Sequence, residues 1–66
     1  MDMQNYIETA RLEGYDLQFT GLGMAYVVYG SVMLTEIIDT EKAEAQLALI
    51  GMAIINDKVR KMLQEG

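Results

Sequence analysis

The sequence predicts an all-α fold: a short N-terminal helix followed by an antiparallel helical hairpin, assembling into a homo-oligomeric helical bundle. Three observations carry this prediction. No proline interrupts the chain, so the strongest helix breaker is absent. The segment 22–38 holds one charge, Glu36, and is apolar on every side, as a helix buried all round would be. Further on, Ala45, Ala48, Met52, Ile55, Val59 and Met62 recur at alternating steps of three and four, the spacing of a heptad seam.

The chain reads as one small helical domain over residues 1–66. Within 1–14, Met3, Tyr6, Ile7 and Ala10 fall on one helix face. Asp2 is placed to cap that helix and Gly14 to stop it. From 15 to 21, Tyr15, Leu17 and Phe19 alternate with Asp16, Gln18 and Thr20, which predicts an extended connector or a short strand. The segment 22–38 follows as the buried helix. On it Gly23 and Gly30 stand seven residues apart on one stripe, where paired glycines would let a second helix approach closely. Ile38-Asp39-Thr40 reads as a tight turn, with Asp39 or Thr40 capping an amphipathic helix over 41–64. Glu41 and Glu44 at its start and Lys58, Arg60 and Lys61 near its end suit the helix dipole. A second stripe of Ala43, Leu47, Ile50 and Ile54 implies that the first half of this helix is buried on two sides and the second half on one.

Two alternatives compete for the middle of the chain. Tyr26, Val27, Val28 and Tyr29 are strand formers, and Gly30-Ser31 fits a hairpin turn, which would make the fold α+β with a short hairpin there. Strict alternation fails from Met24 to Tyr29, and the helix is therefore preferred. The uncharged run from Leu17 to Thr35 also approaches the length of a membrane span. Against a single-span peptide stand Gln18, Thr20 and Ser31 within the run, and Asp16 and Glu36 beside it without a basic anchor.

Size makes self-association the central expectation. Burying the apolar surface of a 66-residue chain contributes on the order of 100 kcal/mol, and ordering its residues costs about the same. Disulfides and Cys or His metal sites are excluded, because both residue types are absent. A partner subunit remains, with Ala45, Ala48, Met52, Ile55, Val59, Met62, Gly23 and Gly30 as the oligomer interface.

The chemistry present points away from catalysis. Without His or Cys, the nucleophile–base dyads and triads built on them cannot form. Ser31 is the one serine and lies in the apolar segment. Glu36, Asp39, Glu41 and Glu44 cluster near a turn, where carboxylate pairs can hold Mg²⁺ or Ca²⁺; their spacing is loose and a solvated turn is the preferred reading, so no catalytic residue, metal site or cofactor is expected. Gly21-Leu22-Gly23 lacks the rest of any phosphate-binding pattern.

A net charge of −5 with five basic residues argues against nucleic acid. The acids gather early: Asp2, Glu8, Glu13, Asp16, Glu36 and Asp39 face only Arg11 before residue 40. The expected function is that of a non-enzymatic, homo-oligomeric interaction protein, a small acidic modulator or inhibitor of a protein target. Glu8, Glu13, Asp16, Glu36 and Asp39 are the partner-binding candidates for a basic surface. The alternative is a small-ligand binder with a pocket between subunits formed by Tyr26, Tyr29, Gly30 and Met33. Because the start of the chain lacks the basic and apolar regions of a signal peptide, the default location is cytoplasmic.

Overall fold

A computed structural model describes residues 2–65, Glu65 by its backbone alone. The elements in order are α1 (Met3–Leu12), β1 (Tyr15–Gly21), β2 (Met24–Tyr29), β3 (Val32–Met33), β4 (Ile38–Asp39) and α2 (Thr40–Glu65). The fold is α+β, with two helices and a four-stranded antiparallel sheet. The all-α expectation is thereby corrected in favour of the hairpin alternative. No helical hairpin exists, because the sheet separates α1 from α2 in sequence.

The correction lies mainly in 22–38. Gly23 and Gly30 have φ of 71° and 60°, left-handed values that do not occur inside a right-handed helix. Each instead closes a two-residue turn. Leu22-Gly23 joins β1 to β2 with φ positive at both residues, as the tight hairpin turns matched to strand twist require. Gly30-Ser31 joins β2 to β3, bringing Tyr29 opposite Val32. The helical stripe that placed Gly23 and Gly30 on one interface face is absent; they sit at opposite ends of β2.

Alternation fails along β2 because the strand is central. It pairs with β1 on one side and with both β3 and β4 on the other. Ala25 and Val27 are buried on the helix-facing side, while Met24, Tyr26 and Val28 on the opposite side are half-covered by neighbouring strands. Between β3 and β4 the chain leaves the ladder. There the buried Val27 N–H donates to the Thr35 hydroxyl at 3.1 Å, and Leu34 N–H donates to the Val27 carbonyl at 2.8 Å. Both polar groups of a core residue are thus satisfied. The predicted turn at 38–40 is a strand running directly into a helix: Ile38 pairs with Ala25, and Thr40 N–H donates to the Gly23 carbonyl.

The flanking elements follow their local signals. Asp2 caps α1 by accepting from Asn5 N–H at 3.1 Å, and the helix ends at Leu12 ahead of Gly14. Both helices lie on one face of the sheet in a two-layer arrangement. The core between the layers consists of Ile7 and Ala10 from α1, Leu17 from β1, Ala25 and Val27 from β2, and Ala43, Leu47 and Ala48 from α2. Such a small core supports only part of the chain. The radius of gyration is 13.0 Å, against about 11 Å for a compact domain of this length, and the longest dimension is 48 Å. A helix of 26 residues spans about 39 Å, so α2 sets the long axis and runs past the body.

Candidate interaction surface

Two stripes on α2 divide its environment. Ala43 and Leu47 are fully buried against the sheet, with Ile50 and Ile54 half-buried on the same line. This is the stripe that the sequence read as secondary, and it faces the core. The predicted seam faces elsewhere and is split. Ala48 is buried and Ile55 half-buried, whereas Ala45, Met52, Val59 and Met62 are exposed.

The split has a local cause at Gly51. This residue is buried in mid-helix where α1 passes so close that an added Cβ would run into the Tyr6 carbonyl. The two helices touch backbone to backbone at that point, and α1 covers the Ala48 and Ile55 side of α2. Farther along, Lys58 reaches Glu13 at the end of α1 with an N–O distance of 3.1 Å. Beyond Lys58 α1 has ended, and the helix continues without it.

What remains open is one continuous apolar line. Met3 and Tyr6 of α1 with Ala45, Ala48, Leu49 and Met52 of α2 line a shallow groove of about 350 Å³. The line then continues along the projecting end, where Val59 is 49%, Met62 71% and Leu63 78% exposed. Leu49 and Leu63 belong to this line but not to the predicted seam. They stand four residues after Ala45 and Val59, an i, i+4 relation that a strict heptad reading passes over. Gly51 was also missed, although an isolated glycine within a helical pattern commonly marks close packing.

The acidic candidates are not gathered on one face. Glu8 and Glu13 lie on α1, Asp16 on β1, Glu36 between β3 and β4, and Asp39 on β4. Two are engaged within the fold. Glu13 pairs with Lys58, and Asp16 accepts from Arg11 Nε at 3.1 Å and from Leu17 N–H at 2.8 Å. Nor does the alternative pocket come together. Tyr26 and Met33 lie on the open face of the sheet on either side of Val28, which pairs with Met33. Tyr29 points to the opposite face, its ring centroid 4.6 Å from that of Tyr15, and Gly30 is in the turn beyond.

Among the described residues no group of three or more carboxylates is placed to hold a metal ion. No helix among them is long and apolar enough to cross a membrane; the uncharged run 17–35 is strand and turn. The fold and surface define a two-layer α+β domain with an unpaired helix extension. No family model, curated protein or solved structure matches the chain.

Proposed function

We propose that this protein is a non-enzymatic interaction protein that works as a homo-oligomer, with the exposed line on α2 as its self-association surface. One observation carries the reading: a line of apolar side chains, interrupted at Asn56, runs from the groove beside α1 onto a helix end that the body does not support. A helix extension of this length has little stability by itself in water, and contiguous apolar surface of this kind marks an interaction site. Association supplies the burial that the small core lacks. The assembled protein then acts on a protein target as a small acidic modulator, with Glu8, Glu36 and Asp39 exposed and in no ion pair among the described residues.

Sedimentation equilibrium at micromolar concentration tests self-association. The wild-type chain is expected to be at least dimeric. Met52→Asp, at a position already 38% exposed in the single chain, is expected to yield a folded monomer that loses helical circular dichroism only from the projecting end of α2, since its carboxylate is costly only where a partner excludes water. A wild-type monomer would contradict the proposal.

A further inference from the structure

We infer that the occupant of the α2 groove is a second copy of the same helix lying antiparallel, with the two-fold axis near Met52. The inference rests on the self-association reading and adds its geometry. Ala45, Leu49, Met52, Val59 and Leu63 follow one side of α2 at steps of four, three, seven and four, with Asn56 in the gap. Groove and projecting end are therefore one face of one helix. Two such faces turned toward each other antiparallel bury both, with the projecting end of each copy entering from the groove side of the other.

Side-chain size selects the direction. The groove half of the line is floored by Ala45 and Ala48, and the projecting half carries Val59, Met62 and Leu63. Antiparallel pairing about Met52 sets Val59 of the second copy over Ala45. Parallel pairing would oppose alanine to alanine, leaving a void, and bulky residue to bulky residue. Charge selects the same direction. Asp2, Glu41 and Glu44 belong to the start of the two helices with Lys42 the single base among them, whereas the sequence of the projecting end carries Lys58, Arg60 and Lys61 against Asp57 and Glu65. Antiparallel copies bring these opposite regions together and also oppose the helix dipoles favourably. The contact is isologous and closes at two copies.

Because the chain contains no cysteine, single substitutions give clean cross-linking probes. Ala45→Cys and Val59→Cys are prepared separately, checked by sedimentation in reductant, then oxidised alone and as an equimolar mixture. A disulfide requires Cα atoms within about 7 Å. The mixture is expected to yield a covalent dimer joining one chain of each kind, and each variant alone to remain uncross-linked. Cross-linking of either variant alone as readily as the mixture means parallel helices and overturns the inference. Dimers in sedimentation with no disulfide in the mixture overturn it too, while leaving self-association standing. Monomers in sedimentation overturn both.

Discussion

The two halves of α2 belong to one continuous helix and have opposite circumstances. From Thr40 to Ile54 the helix lies between sheet and solvent, with Ala43 and Leu47 fully buried and Gly51 pressed against Tyr6. From Ile55 onward it is tied to the body by the half-buried Ile55 and the Lys58–Glu13 pair; farther on, the ion pair found among the described residues, Lys61–Asp57 at 3.2 Å, lies within α2 itself. Exposed ion pairs of this sort contribute little. An apolar stripe alone thus does not say which side of a helix is the inside. Helix and sheet geometry chose the Ala43/Leu47 line as core and left Ala45, Met52, Val59 and Met62 of the heptad line exposed.

Substitutions can sharpen this contrast. Leu47→Ala, in the packed half, is expected to cost about 2–5 kcal/mol through lost burial and the cavity left behind, read as a lower urea midpoint. For a chain near the lower size limit of stable domains, that loss would leave a large unfolded fraction. Gly51→Ala should follow, at about 1–3 kcal/mol or somewhat more, since backbone rather than a flexible side chain blocks the added methyl. A neutral Gly51→Ala would mean that the helices do not touch there. In the opposite direction, Leu22→Gly is expected to stabilise by about 1 kcal/mol, because Leu22 is fully exposed with φ of 55°, where a side chain is strained. The smallest effect on single-chain stability belongs to Leu63→Ser, within about 0.5 kcal/mol. That variant should nonetheless weaken association in sedimentation. Equal weakening by Thr20→Ser, a control on β1 away from the helices, would remove Leu63 from the surface.

The legible parts of the fold were those whose signals are local. Asp2 as cap, the alternation of Tyr15, Leu17 and Phe19, and the period of α2 each depend on neighbours in sequence, and each has its counterpart in the structure. The segment 22–38 was misread because its strand, Met24–Tyr29, is paired on both edges and so shows no polar face. The glycines that close its turns were taken for helix-packing residues. The glycine that does pack helices, Gly51, signalled close packing but not its partner, since nothing in the sequence places Tyr6 beside it. The exposed line was half legible: Ala45, Met52, Val59 and Met62 share the predicted stripe and are exposed, whereas Ala48 is buried at the floor of the groove and Ile55 is half-buried. Which side α1 would cover depends on tertiary packing that the heptad spacing does not encode.

Amide hydrogen exchange followed residue by residue along α2, at protein concentrations from well below to well above the association midpoint, tests the central claim most directly. Amides of residues 43–51 should be protected at every concentration, because the body of the same chain covers them. Amides of residues 56–64 should exchange freely in dilute solution and become protected as concentration rises. Protection of 56–64 that does not change with concentration would contradict the account, since the helix end would then be stable without a partner.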